Sequence, residues 1–466
     1  MRFGAKGFEK LEQDSYEWIF PTSSDMESQR LLAKLNSVAD VNDYVAFSER
    51  IAGFPDELHA VEEINGFIED IHARLAEVLS NLDIASAKSA QKTHLLVLED
   101  HHRAAWTSLP KPVMDDTREI IRGRFVQNPE VYNYLNIKGL GYVFPETFES
   151  KKDNFKGNVH QPTVGFYETS EFPWNYNVLG LADKRVLEPI LKHTQIMQRL
   201  GGRVEKIVAA AQLKQIYFEG KLIPVDDLKK QGVIPSENFD GKPFEPVQIF
   251  RLQRVPYRIN DLYKADKIHK LAMLRESFEA LNRENRVKGD ARQYSLNDME
   301  SVKSYIKDSV YWIGRNLGLM QGAAYTYGYF NSGNITLGLG ELVDIDSMKP
   351  LKVDPDNKEV TVYVKNSPDS YKYKCPPVMG KDIRDGIYSI RRFLIAINSC
   401  IPVVDAAFKQ ETAECFLQGY QEGRKRSNAL DNGAYKDIEA DNVLEMVADL
   451  AHKMIIEDRN VRPVVV

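Results

Sequence analysis

The period of the apolar residues changes near residue 258, which limits the chain to a sheet-bearing segment followed by a mainly helical one. Upstream, Val131-Tyr-Asn-Tyr-Leu-Asn-Ile137 alternates and is rich in aromatic and β-branched residues, as a strand requires. Val204 to Phe218 and Val247 to Arg254 also read as strands, separated by a Pro/Gly/Asp-rich connection. One helix falls among them, Val186 to Leu200, stopped by Gly201-Gly202. Downstream of Arg258 the helical period takes over: Ile268, Leu271, Leu274, Phe278 and Leu281 form one apolar stripe, and Met299 to Tyr325 is a second long helical stretch. Short strands are expected at Asn334 to Leu337 and Glu341 to Ile345, and a hairpin near Val360 to Val364. Two further helices carry Ile383, Ile387, Ile390, Phe393 and Ile397, and Leu444, Val447, Leu450 and Met454.

Before the first strand, Met26 to about Val113 shows helical spacing, as in Leu58, Val61, Ile64, Phe67, Ile68, Ile71, Leu75 and Leu79. Residues 146–178, rich in Lys, Asn, Pro and Gly, read as an insertion or long loop. The 466 residues exceed one domain at about 150 residues each. The expected division is a helical N-terminal region over 1–113, an α/β lobe over 114–260 and a mainly helical lobe over 261–466.

Charge and composition narrow the partners. A net charge of −6 gives no global attraction for phosphodiester backbones, so nucleic acid is not an expected partner. The longest apolar runs, such as Phe393 to Ile397, fall far short of the roughly 18 residues of a membrane span. No signal-peptide pattern follows Met1, so the cytoplasm is the expected location. Cys375, Cys400 and Cys415 show no paired spacing and are expected as buried free thiols.

Three groups of residues suit phosphate chemistry. In Gly328-Tyr-Phe-Asn-Ser-Gly-Asn334-Ile-Thr-Leu-Gly-Leu-Gly-Glu-Leu-Val-Asp344-Ile-Asp346-Ser, an amide oxygen ends a loop and a carboxylate sits on the far arm of the next hairpin, a pattern able to converge on Mg²⁺. Asp344 and Asp346, two apart on an expected strand, would share a face. Lys138 ends a strand before Gly139-Leu-Gly141, where bare backbone approaches phosphate and an ammonium neutralises it. Arg251 and Arg258 offer guanidinium forks for a phosphate tail. Taken singly, each also suits an ordinary turn, a solvated lysine or surface ion pairs. There is no Walker A motif, complete G-x-G-x-x-G, HExxH or G-x-S-x-G elbow.

In order, these segments resemble those of the selenoprotein O group of pseudokinase-like protein adenylyltransferases, over about residues 131–350. The family's K-G-S-G is similar to Lys138-Gly-Leu-Gly141, and its following helix to Val186 to Gly201. Its two arginines seven residues apart are similar to Arg251 and Arg258, and its H-G-x-x-N-T-D-N and D-Y-G segments to Tyr327-Gly-Tyr-Phe-Asn-Ser-Gly-Asn334 and Val343-Asp344. The resemblance implies an α+β, bilobal protein-kinase-like fold, here with an additional N-terminal helical region. It also implies ATP bound in a flipped pose, so that AMP passes to a hydroxyl of a protein, peptide or small-molecule acceptor. Carried over by match, Lys138, with Gly139 and Gly141, holds phosphate and acts in catalysis. Glu188 is the nearest counterpart of the glutamate that pairs with this lysine, Arg251 and Arg258 hold the phosphate tail, and Asn334 and Asp344 hold Mg²⁺. Gly333 stands where the family keeps an acid and Tyr327 where it keeps a histidine, so the resemblance leaves the base unassigned, with Asp346 as one candidate. An ordinary phosphotransferase and an ATP-binding pseudokinase without catalysis are the alternatives.

Overall fold

The computed structural model of the chain describes Tyr16–Trp18, Val97–Leu98, Ala104–Ile121, Arg124–Lys138 and residues 182–464, with breaks at 214, 219–220, 233, 238–240, 352–358, 365–369, 375–376, 429–439 and 460. Most of the expected N-terminal helical region, the 146–178 insertion, Gly139, Gly141 and Cys375 lie outside the described residues. The fold is mixed α+β.

The strands are β1 (Tyr16–Trp18), β2 (Val97–Leu98), β3 (Ala104–Ile121), β4 (Arg124–Lys138) and β5 (Ala182–Asp183); helix α1 (Leu187–Arg199) follows, and then β6 (Lys206–Leu213). Next come β7 (Gln215–Phe218), β8 (Lys221–Pro224), α2 (Val225–Lys230) and β9 (Pro246–Gln253). Ala104–Val113, the end of the region expected to be helical, is strand. Pro110 and Pro112 lack the N–H that a helix interior needs, and the local side-chain pattern could not register this against the period upstream.

The chain falls into two compact units, the first taking in Tyr134–Leu191 and Lys206–Leu252, the second Met114–Asn133, Lys192–Glu205 and Gln253–Val466. The sheet order is β1-β6-β9-β4-β3-β2, with β5 also on β9. β6 and β9 pair antiparallel, Ala210 opposite Ile249, with an irregularity between Ile207 and Ala209. Consecutive Ile249 and Phe250 are both fully buried, so β9 is covered on both faces, as its central place in the order demands.

The second unit continues through α3 (Ile259–Lys264), α4 (Lys267–Val287), α5 (Met299–Gly322), β10 (Tyr325–Thr326), β11 (Lys349–Pro350), β12 (Glu359–Val364), β13 (Ser370–Lys374), α6 (Pro377–Asn398), α7 (Ala406–Asn428), α8 (Ala440–Ala451) and β14 (Val461–Val464). Asp266 and Asp298 cap α4 and α5 by accepting backbone N–H groups of the first turn. Helices α5 and α7 meet backbone to backbone. Gly314, Gly318 and Gly322 recur every fourth residue on α5, and Gly419 and Gly423 on α7, so each helix presents a stripe without side chains. A Cβ at Gly314 would run into the Phe416 carbonyl, one at Gly318 into that of Tyr420, and one at Gly423 into that of Arg315.

The segment expected as two short strands is a tighter object. Ile335 bridges Leu342, the Thr336 N–H donates to the Glu341 carbonyl at 2.8 Å, and the Val343 N–H donates to that of Asn334 at 3.1 Å. Leu339 and Gly340 take left-handed backbone at φ 55° and 70°, and the reversal is too short for a regular ladder. Ile345–Ser347 then forms a 3-10 turn entered through Asp344 at φ 58°. The expectation that Asp344 and Asp346 share one face is therefore corrected: alternation holds only on extended backbone.

Candidate functional site

The hairpin carrying Asn334 and Asp344 is braced on both arms within the second unit. On the outgoing arm, the Leu337 N–H donates to the Tyr257 carbonyl at 2.8 Å and the Ile259 N–H to the Ile335 carbonyl at 2.9 Å. On the return arm, the Leu342 N–H donates to the Arg203 carbonyl at 2.9 Å and the Glu205 N–H to the Leu342 carbonyl at 3.0 Å. The Asn316 amide donates to the Arg203 and Gly340 carbonyls at 3.0 and 2.9 Å, and the Arg203 Nε donates to the Gly338 carbonyl at 3.1 Å. The turn is held by side chains from beneath.

Asn334 Nδ2 donates to the Tyr329 carbonyl at 3.1 Å, which orients the amide and leaves Oδ1 as its acceptor, with no hydrogen bond among the described residues. On the other arm, Asp344 receives Arg258 Nη2 at 3.0 Å, and Arg258 Nη1 donates to the Gly333 carbonyl at 2.5 Å. The Asp344 N–H donates to Glu205 Oε1 at 2.8 Å, while Glu205 Oε2 accepts from Gln253 at 3.1 Å. Arg258, Gly333, Asn334 and Asp344 thus form one cluster, and Asp346 follows on the 3-10 turn, half-buried.

This cluster has a buried support. Tyr327 donates its hydroxyl to the Val343 and Asp344 carbonyls at 2.7 and 2.8 Å; burial, reinforced by Asp344, Asp346 and Glu205, pushes its ionisation far up, so it acts as a neutral donor. His193 makes a 3.1 Å bond from Nδ1 to the Ile345 carbonyl, and burial lowers its pKa against that bond, favouring a neutral ring. Asp382 on α6 accepts from the Thr326 hydroxyl at 2.5 Å, the Tyr327 N–H at 2.8 Å and the Gly328 N–H at 2.8 Å, fastening the start of the loop that ends at Asn334. Burial pushes its carboxyl up to about 6 despite those donors. Sequence reasoning missed Asp382; the signal was an acid inside the buried stripe of Met379, Ile383 and Ile387.

Deeper still lies an ion cluster absent from the sequence reading. Arg203 pairs with Glu284 through two bonds, at 3.0 and 2.8 Å; Arg254 pairs with Glu341 at 2.8 Å and with Glu130; and Lys288 reaches Glu284 at 2.9 Å. Burial alone would raise the Glu284 carboxyl, but Arg203, Lys288 and Arg254 together hold it well below the usual carboxylate range. Burial brings Lys288 down to about 8 against the pull of Glu284. Glu341 Oε2 also accepts from the Thr336 hydroxyl at 3.1 Å, which ties the cluster to the hairpin.

The other expected site residues belong to the first unit. Lys138 ends β4 and is half-buried. Arg251 on β9 is fully buried and donates through Nε to Asn136 Oδ1 at 2.7 Å. Glu188 lies in the first turn of α1.

Among the described residues no group of three or more His, Cys, Asp or Glu side chains could hold a metal ion. A cation at Asn334 and Asp344 would take its other oxygens from water and from nucleotide phosphates, which is how Mg²⁺ is usually held in phosphoryl-transfer sites. Asn334 Oδ1 and the Asp344 carboxylate are oxygen donors of the kind such a cation takes. No helix among the described residues is long and apolar enough to cross a membrane. No family model matches the chain, and no curated protein matches it.

Proposed function

We propose that the chain is a Mg²⁺- and ATP-dependent transferase of bilobal protein-kinase-like fold, similar to the selenoprotein O group, that passes AMP to the hydroxyl of an acceptor. One observation carries this reading: Asn334, with its amide oriented by Tyr329, and Asp344, paired with Arg258, flank a hairpin braced on both arms. Two oxygen ligands of that kind suit a cation shared with nucleotide phosphates. The order of the matched segments along the chain supports it further.

In this reading an acceptor oxygen bonds to the α-phosphorus, and the bond from that phosphorus to the bridging oxygen breaks, releasing pyrophosphate. A bound Mg²⁺ would supply charge neutralisation on the phosphates. Asp344 would hold the cation and Arg258 the phosphate tail, each exchanging its present partner for a ligand group of opposite sign. Asp346 receives the acceptor's proton. Gly333 favours a second reading, ATP binding without catalysis: it has no side chain to act as a base, and its carbonyl is taken by Arg258.

The test is incubation with ATP labelled at the α or the γ position, together with cell lysate as acceptor source. Transfer of α label that falls in Arg258→Ala supports adenylylation. Transfer of γ label alone identifies a phosphotransferase, and Mg·ATP binding with neither transfer identifies the non-catalytic binder.

A further inference from the structure

Arg392 lies on α6 beside the loop that leads to Asn334. Its Nη1 donates to Ser332 Oγ at 3.0 Å and to Asn260 Oδ1 at 3.2 Å, so it touches a residue two before Asn334. Its guanidinium stacks near two rings, Tyr263 of α3 at 5.0 Å and Tyr388 of α6 at 4.8 Å. Among the described residues it has no carboxylate partner, its Nε is enclosed without a hydrogen bond, and Nη2 makes none. Neighbouring carboxylates are engaged elsewhere: Asp261 accepts the Arg258 N–H at 2.8 Å, Asp385 pairs with Lys381 at 3.1 Å and with Arg384, and Asp458 pairs with Arg391 at 3.5 Å.

Aromatic stacking leaves a guanidinium its in-plane hydrogen bonds, and the unused Nη2 is the donor left to meet an incoming carboxylate. Tyr263 and Tyr388 are each 38% exposed, and Ile395, further along α6, is 45% exposed. Exposed aromatic and apolar side chains thus flank this cation, which suits a peptide chain more than a bare hydrated anion. Resting on the hydroxyl-transfer reading above, we infer that Arg392, with Tyr263 and Tyr388, docks an acidic side chain of the peptide segment that presents the acceptor hydroxyl. Contact with Ser332 puts that acidic side chain within a few residues of the hydroxyl.

Two fluorescent peptides test this on the full chain, each carrying one central serine, flanked by glutamates in one and by glutamines in the other. Fluorescence anisotropy should show the glutamate peptide binding at least about tenfold more tightly than the glutamine peptide. Arg392→Gln should abolish that difference, and Arg392→Lys should lose most of it because an ammonium has no plane to stack on Tyr263 and Tyr388. Tyr388→Leu, which leaves Arg392 bonded to Ser332, should weaken the glutamate peptide several-fold, and it keeps the test valid if the arginine variants unfold. Equal affinity for the two peptides, no binding of either, or unchanged glutamate-peptide binding in folded Arg392→Gln overturns the inference. Complete competition by inorganic phosphate at equal concentration also overturns it, by identifying a small-anion site. Calorimetry with Mg·ATP runs separately: a wild-type chain that binds the glutamate peptide through Arg392 but not Mg·ATP would refute the transferase reading and leave the acidic docking point standing.

Discussion

Arg258 joins the two ends of the hairpin, with Nη2 at 3.0 Å from the Asp344 carboxylate and Nη1 at 2.5 Å from the Gly333 carbonyl. The ion pair is mostly shielded, its side chains being 16% and 17% exposed, so it is worth more than a surface pair and less than a fully enclosed one. Arg258→Ala loses both bonds and Asp344→Asn only the charge, while asparagine still tolerates the left-handed backbone at 344. Urea unfolding should show a cost of about 2 kcal/mol for the first and about 1 kcal/mol for the second. Asp344→Asn should also remove the Mg²⁺ dependence of ATP binding in calorimetry. Retained dependence would take Asp344 out of the metal site.

The glycines of α5 and α7 predict a large effect at a site with no chemistry. Gly318→Ala places a methyl group against the Tyr420 carbonyl, with backbone on both sides and no flexible side chain to yield. The expected loss is about 3 kcal/mol or more. Gly289→Ala, where nothing lies within 4 Å and only a φ of +70° is strained, should cost about 1 kcal/mol. Comparable unfolding midpoints for the two variants would mean that the helices separate without penalty.

Asp382 predicts a pH dependence. Its carboxyl is raised from 3.8 to about 6 in the folded chain, so between those values the folded state holds a proton that the unfolded state has released. Its contribution to stability is greatest below pH 4 and declines as pH rises to 6, by about 3 kcal/mol in total. Denaturation of wild type and Asp382→Asn at pH 4.5 and 7 should show the wild type losing ground relative to the variant as pH rises. Parallel behaviour of the two proteins would show that the carboxyl is ionised throughout.

The buried ion cluster predicts an asymmetric response. Glu284→Gln leaves Arg203 enclosed with its main partner gone, at a cost of about 3–5 kcal/mol. Glu284 is also what supports the charge on Lys288, so the Lys288 pKa should fall below its present value of about 8 in that variant. Titration of the Lys288 side chain by NMR reads this directly, and an unchanged midpoint would show that the two groups are not coupled.

Side-chain spacing alone determined many of the local elements among the described residues. The stripe of Ile383, Ile387, Ile390, Phe393 and Ile397 is α6, the alternation of Val131 to Ile137 lies in β4, and Gly201 closes α1 at a φ of 78°. The separation of Asn334 from Asp344 was enough to put them on opposite arms of one hairpin, because a turn is a matter of adjacent residues. Only the tertiary structure decided the rest. The partners of Asp382 and Arg254, and those of Arg392 other than Tyr388, lie far away in sequence, and no local period encodes which distant donor or ring a side chain will meet. The recurrent glycines of α5 were visible in the sequence, but their meaning required α7, since a bare stripe acquires a role only when another backbone fills it. The left-handed turn at Asp344 likewise overrode the extended backbone expected there, because Arg258, Glu205 and Tyr327 hold that residue from three directions.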